Sequence, residues 1–401
     1  MAWDVVFAAL TLQAGYNAAV VLIGATLLGL SAGACGPFLF LRKRAMVSDA
    51  LAHATLPGVA LAFMALVALG GDGRFLPALL VGSALSAGAG LLAIDWLTHR
   101  TRLTEDAAIG AVLSVFFGAG VVLLTLIQSM GAGRQAGLED FLLGSAAGML
   151  AADAVVIGVG AALCLSIVVT FRRPLTLVAF DPIFAATSGI NVRAMDRLAL
   201  ALALGVTVVG LKLVGLVLIV ALLIVPPVTA RFWTDRTGVL IALSALFGAV
   251  SAAMGTALSA AAPGLPTGAI IVLTAFGLFL VSFTGSPLRG VLAAAIKHRR
   301  TAVRVHRRQG LLALAKGEPI YDRMTLSVLR REGLLRRDGV ATPRGEAAAA
   351  DARREEARWA IARAVFDADG RRDDGLTPID AVLTADQIAV IDQRLNTLSA
   401  V

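Results

Sequence analysis

The chain has 401 residues, 58% of them hydrophobic and 15% charged, with a mean hydropathy of +0.83. That composition excludes an ordinary soluble globular protein and a disordered one, and points to a polytopic membrane protein. The formal charge of +8 is uneven: residues 1–288 carry 14 Lys+Arg against 12 Asp+Glu, net +2, and residues 289–401 carry 21 against 15, net +6. Much of the basic character therefore belongs to a polar tail that follows a membrane domain.

Apolar runs of spanning length, for which roughly 20 helical residues suffice, occur at 16–41, 46–69, 77–98, 107–130, 150–171, 238–262 and 267–287. The stretch 198–230 is too long for one span and holds Lys212 and Gly215 near its middle. It reads as two short spans, or as one span with a re-entrant piece. The expected fold class is all-α: a transmembrane helical bundle of 8–9 spans with a small C-terminal domain. Nine crossings with the N-terminus outside place Arg42, Lys43, Arg44, Arg100, Arg102, Arg172, Arg173, Arg193, Arg197, Arg231 and Arg236 inside. Only Arg74, Arg134 and Lys212 then lie outside, as the positive-inside rule requires. The tail falls inside as well. No short cationic leader with a cleavage site precedes the first span, so no removable signal peptide is expected.

Small residues in the spans, such as Gly24, Gly29, Gly33 and Gly36, suit close helix packing in lipid. Cys35 and Cys164 lie in apolar runs without a C-x-x-C partner and read as small core residues. Two inner segments, 180–190 and 224–231, each read as a short helix started by proline, at Pro182 and at Pro226-Pro227. The loop 131–149, with Glu139, Asp140 and Phe141, and the turn 263–268 read as outer caps. Residues 298–308, which include His298 and His306, form a basic run suited to anionic lipid. Beyond it, 324–331 and 346–364 suit helices, and 333–340 suits a short β-hairpin with an Asp-Gly turn. Helix, hairpin and helix in that order suggest a winged-helix-like unit.

The chemistry concentrates at Asp49 and His53, just past Arg42-Lys43-Arg44 at the edge of the second span. Positions i and i+4 share a helix face, so carboxylate and imidazole point the same way, about 6 Å apart in depth. Ionisable groups inside a span mark an ion or proton pathway. Carboxylate with imidazole and no thiolate suits manganese, ferrous iron or zinc. The competing structural roles are an Asp49 helix cap and a His53 imidazole bonded to a backbone carbonyl. Glu105 and Asp106 begin the fourth span, as first-turn acids or as further pathway groups. Asp95 and Asp153 sit at span ends, and Lys212 suits snorkelling. No G-x-x-x-x-G-K-[ST] loop occurs, so any ATP-driven step needs a separate ATPase chain.

Four stretches resemble the permeases of ABC transporters for manganese, zinc and iron. They are S-D-A-L-A-H-A-x-L-P-G at 48–58, T-E-D-A-A-I-G-A-V-L-S at 104–114, the run 214–231 ending P-P-V-T-A-R, and L-P-T-G-A-I-I-V-L at 265–273. The resemblance covers about 15–290, in order. It implies a permease that binds no permanent cofactor, catalyses no covalent chemistry, and passes a divalent metal along Asp49 and His53. It implies pairing with itself or a sister permease, an ABC ATPase inside that hydrolyses the ATP, and an extracytoplasmic metal-binding protein. The setting it implies is the bacterial cytoplasmic (inner) membrane. Phe180, Asp181, Pro182, Gly189, Pro226, Pro227 and Arg231 fall in the segments that would contact the ATPase; Pro227 stands where alanine is commoner. The tail resembles the C-terminal part of iron-dependent repressors, carried by R-R-E-G-L-L-R-R-D-G-V-A-T-P-R-G-E-A-A-A-A and, more loosely, by 376–395. That favours manganese, although the tail has no histidine after His306, and no nucleic acid is expected as a partner of a membrane-tethered unit. The expected domains are 1–290 for the permease, 291–310 for a basic linker and 311–401 for a cytoplasmic regulatory tail. A proton-coupled secondary carrier without an ATPase, and a membrane-tethered metal sensor, are the rival readings.

Overall fold

A computed structural model describes residues 2–71, 75–130, 149–261, 265–366 and 376–399. The loop acids Glu139 and Asp140 with Phe141, the turn residues Pro263 and Gly264, Arg74, Arg134 and the Lys212 side chain lie outside what is described. The chain divides into two compact units, Met1–Val291 and Leu292–Val401.

Among its described residues, the regular elements of the first unit are all helices. A short helix, α1 (Ala2–Leu10), precedes α2 (Tyr16–Leu41), α3 (Ala45–Ala68), α4 (Leu76–Arg100), α5 (Glu105–Met130) and α6 (Ala151–Phe180). Then come α7 (Pro182–Thr187), α8 (Val192–Arg231), α9 (Thr237–Ala261) and α10 (Thr267–Gly285). Among the described residues, eight segments are long and apolar enough to cross a membrane, and a ninth, Leu218–Arg231, is apolar but shorter. The sequence pattern offered no sign of α1, whose nine residues fall below spanning length. Its Val6 and Ala9 pack on Ala257 of α9.

The two halves of α8 meet at Gly215, whose φ of 73° and ψ of 175° leave the helical region and suit glycine. A methyl group placed on Gly210 would lie 2.6 Å from Ile219 Cδ1. Nine residues of continuous helix span about 13.5 Å, so the chain folds back on itself there. The structure divides the stretch into two helical segments, Val192–Leu211, which is of spanning length, and Leu218–Arg231, which is shorter.

One sequence expectation needs correcting. Pro226 and Pro227 do not start a helix; they lie inside Leu218–Arg231. A proline within a helix gives no N–H to the carbonyl four residues back. Pro227 thereby releases the Leu223 carbonyl, and a methyl group on Gly36 would lie 2.1 Å from that oxygen. Glycine at 36 thus lets α2 lie directly against the opened backbone of α8. Pro37 does the same to Gly33 in α2, and here the Ser244 hydroxyl of α9 donates to the freed carbonyl at 2.5 Å. In lipid, where apolar burial alone does not drive helices together, such close approach and hydrogen bonding hold a bundle. Helix α2 is its centre: Leu28, Cys35 and Phe38 share a core with Leu218, Leu222 and Leu223 of α8, Val168 of α6, Ala252 of α9 and Ile271 of α10.

The second unit contains α11 (Val291–Lys316), α12 (Arg323–Arg331), α13 (Pro343–Phe366), a 3₁₀ turn (Ile379–Ala381) and α14 (Ala385–Ser399). Residues 291–310, read from sequence as a linker, are the first part of α11. The expected hairpin shrinks to a single antiparallel bridge between Leu335 and Ala341, closed at Gly339 with φ +88°. Two apolar clusters hold the unit: Leu311, Leu329, Leu334, Leu335 and Ala349, and then Trp359, Ala362, Ile379, Leu383 and Ile391. Asp322 caps α12 by accepting from the Thr325 amide and hydroxyl, each at 2.7 Å. Those bonds hold its carboxyl below the usual range, with His306 adding a smaller charge effect. Arg358 makes a forked pair with Asp392 at 2.6 and 2.7 Å.

Candidate ion pathway and coupling segments

Helix α3 enters the bundle from a tight turn in which Lys43 has φ 59°. Arg44 is its N-cap residue and makes no side-chain cap. Asp49 is the fifth helical residue, too far in to cap the start, so the capping role considered for it is not the one it has. His53 follows one turn later, and its Nε2 lies 3.5 Å from Asp49 Oδ1. Of residues 47–60, every one is buried except Asp49 and His53. Their side chains are 48% and 26% exposed, so the stretch is closed except at its two ionisable groups.

The His53 ring stands edge-on to Phe117 of α5, centroids 5.1 Å apart, which fixes its plane. Its Nδ1 is buried and has no hydrogen-bond partner, so the backbone-carbonyl partner considered for His53 is missing. Such an orphan is costly and uncommon. A ring held in place, with Nε2 beside an open carboxylate, forms a partial ligand set. Among the described residues no group of three or more His, Cys, Asp and Glu is placed to hold a metal ion. One chain therefore offers two side-chain donors here, and a divalent ion takes four or more.

On the N-terminal side of this pair, the neighbouring helix ends are laced by ion pairs. Arg42 pairs with Asp196 of α8, and Arg44 reaches Glu105 of α5 at 2.6 Å and Asp196 at 3.9 Å. Glu105 is thus a first-turn acid of α5 engaged by a cation, and Asp106 beside it is exposed. Asp95 lies 3.3 Å from His99 and 4.0 Å from Arg197. Asp153 accepts from the Leu150 amide at 2.9 Å and so serves the start of α6. Asp196 was not among the residues singled out from sequence. It is the one acid in 182–230, flanked by Arg193 and Arg197, and that isolation was the available signal.

Helix α7 is a short helix between two side-chain caps. Asp181 Oδ1 accepts from the Phe184 amide at 2.8 Å, with Pro182 as first helical residue, and Asn191 Oδ1 accepts from the Ala194 amide at 3.0 Å to start α8. Gly189, with φ +82°, ends the turn between them. Phe180, Ile183 and Phe184 are left exposed. At the end of α8, Arg231 pairs with Asp235 at 2.9 Å, and Asp235 with Arg289 at 2.6 Å. Trp233 Nε1 donates to Ser282 at 2.9 Å, which ties this corner to α10. Pro226 and Pro227 lie above that corner. In the tail, His306 Nδ1 lies 3.0 Å from both Thr325 Oγ1 and Asp322 Oδ2, while His298 is exposed.

Residues 16–286 match the family described as the ABC 3 transport family. The manganese transport system membrane protein MntC of Bacillus subtilis is 41% identical over 298 residues, 74% of this chain and 67% of that one. The zinc transport system membrane protein TroC of Treponema pallidum is 39% identical over 296 residues, 74% of this chain and 98% of that one. Among solved structures, PsaBC from Streptococcus pneumoniae in complex with Fab aligns with a TM-score of 0.62 at 29% identity, covering 72% of this chain and 98% of that one. The matched span ends before the second unit begins.

Proposed function

The chain belongs to the ABC 3 transport family, and from that premise we propose that it is the membrane permease of an ATP-driven importer of divalent transition-metal ions, with Asp49 and His53 lining the path. The observation that carries the site is the open pair on α3: a carboxylate and an imidazole, part exposed and 3.5 Å apart, on a stretch otherwise closed. Two permeases, alike or sister chains, meeting across that open face bring two carboxylates and two imidazoles together. Four such donors suit manganese, ferrous iron or zinc. Manganese is favoured: the relatives are named for manganese and for zinc, and the repressor-like likeness of the tail points the same way. A transport ligand must also release its ion, and an incomplete set in each chain makes a weak site that closes and opens with the dimer.

The remaining assignments follow the same reading. Residues 1–290 form the permease, with its N-terminus outside and its C-terminus in the cytoplasm of a bacterium. The exposed apolar knob of α7, with Phe180, Asp181, Pro182 and Gly189 shaping it, docks on an ABC ATPase; Pro226, Pro227 and Arg231 brace the adjoining corner. An extracytoplasmic metal-binding protein delivers the ion. The basic run within 291–310 lies on anionic lipid, and 311–401 is a cytoplasmic regulatory domain. ATPase movement at α7 travels to Asp196 at the start of α8, and from there to Arg42, Arg44 and Glu105 below the pair.

The test is uptake of manganese, zinc and ferrous iron by vesicles holding the permease with its ATPase and binding protein. Uptake driven by ATP and indifferent to an uncoupler is expected. Uptake that survives ATP depletion and collapses with the proton gradient would instead establish the secondary carrier.

A further inference from the structure

The protein has two cysteines, 129 positions apart, and the fold brings them together. Cys35 of α2 and Cys164 of α6 are both buried and both free, with their Sγ atoms 2.9 Å apart. That separation is already inside sulfur contact distance, and a disulfide needs about 2.05 Å. A cavity of about 210 Å³ opens on the Cys164 side of the pair, bordered by Cys164, Leu28, Ser31, Gly160, Ile167 and Val206. It is several times the ~30 Å³ share of a water molecule, so a small oxidant fits.

We propose that Cys35 and Cys164 are a reversible oxidation site, at which a peroxide joins them in a disulfide that staples α2 to α6 and stops transport. One thiol attacks the peroxide O–O bond to give a sulfenic acid and one water. The second sulfur then displaces the sulfenic hydroxyl, which leaves as water with the second thiol's proton. Two thiols and one hydrogen peroxide thus become one disulfide and two waters, and the product carries no charge into the apolar interior. A thiol reductant reverses the bond.

The position gives the bond its consequence, and this part rests on the permease reading. Helix α2 packs at the centre of the bundle, held to α9 through Ser244 and against α8 at Gly36. Helix α6 runs to Phe180 and leads directly into α7. A covalent staple ties the central helix to the one that leads into the proposed coupling segment.

The experiment uses the full chain with its ATPase in native membranes, with and without hydrogen peroxide. Free thiols are counted by maleimide labelling after denaturation, and peptides are mapped by mass spectrometry. Untreated protein is expected to take two labels. Peroxide-treated protein takes none until reduced, and yields a linked Cys35–Cys164 peptide. Two labels after peroxide, or a sulfinic acid in place of the linked peptide, would overturn the site whatever the protein transports. In the second arm, metal uptake by wild type is lost on peroxide treatment and returns with reductant. Cys35→Ala and Cys164→Ala, at matched membrane levels, keep their uptake. A linked peptide with uptake unchanged would overturn the staple as a brake while leaving the permease reading intact, because untreated uptake tests that separately.

Discussion

Helices α2 and α3 are neighbours in sequence, both spans, both rich in small residues, and both interrupted by proline, at Pro37 and Pro57. Their interiors are finished differently. Residues 31–39 of α2 are all buried and include no Asp, Glu, His, Lys or Arg, and the carbonyl freed by Pro37 is taken by Ser244. Residues 47–60 of α3 are buried except at Asp49 and His53, where one nitrogen has no partner. A span that only has to pack satisfies each polar group it opens. On the proposed reading, α3 handles an ion and keeps a polar pair open, at a cost in stability, because the partner comes and goes.

The comparison breaks most sharply at the open pair. Asp49→Asn and His53→Ala should each lower ATP-driven metal uptake by about tenfold or more, the scale on which metal affinity answers even to groups behind the ligands. Folding should be preserved, as judged by size-exclusion profile and membrane level. On α2 the reverse is expected. A methyl group on Gly33 would lie 2.3 Å from the Ser244 carbonyl, backbone that cannot yield. Gly33→Val should cost about 3 kcal/mol or more, seen as loss of folded protein from the membrane.

Two smaller changes sharpen the contrast. Ser244→Ala leaves the Gly33 carbonyl without its donor and should cost about 1 kcal/mol, measured as a lower melting temperature in detergent with uptake per folded molecule unchanged. Glu105→Gln should weaken the Arg44 latch by about 1 kcal/mol or less, because the pair is part exposed. Its signature is a raised ATPase rate without metal, more than a change in stability.

The smallest effect contrasts Asp49, which does not cap its helix, with Asp322, which does. Asp322→Ala should speed amide exchange at Thr325 and leave α14 untouched. The Asp322 carboxyl is held below its ordinary range, so its contribution is present above the unfolded carboxylate value and is lost as pH falls through the depressed one. In wild type the α12 start should therefore fray only in acid.

The eight long spans were legible because twenty apolar residues in a row admit few other structures, and Asp49 and His53 stood out because ions in such a run are costly. What escaped the sequence depends on approach between distant residues. The Cys35–Cys164 contact, the Ser244 hydroxyl on Gly33 and the Arg42–Asp196 pair join positions far apart in the chain, and no local period encodes them. Pro226 and Pro227 were misjudged for the same reason. Inside a helix they are tolerated because Gly36 of another span brings backbone against the opened turn. The tail hairpin failed in part: its Asp-Gly turn formed, but the flanking residues went to the apolar core around Leu334 and Leu335 rather than to a ladder.

The most direct test of the central claim is whole-cell manganese, zinc and iron content by elemental analysis. The strains compared would be wild type, Asp49→Asn and His53→Ala at matched membrane expression. A fall in one metal, manganese first, in both variants while the other two hold is the predicted result. Wild-type levels of all three metals in both variants would contradict the account and make the open pair on α3 a structural feature.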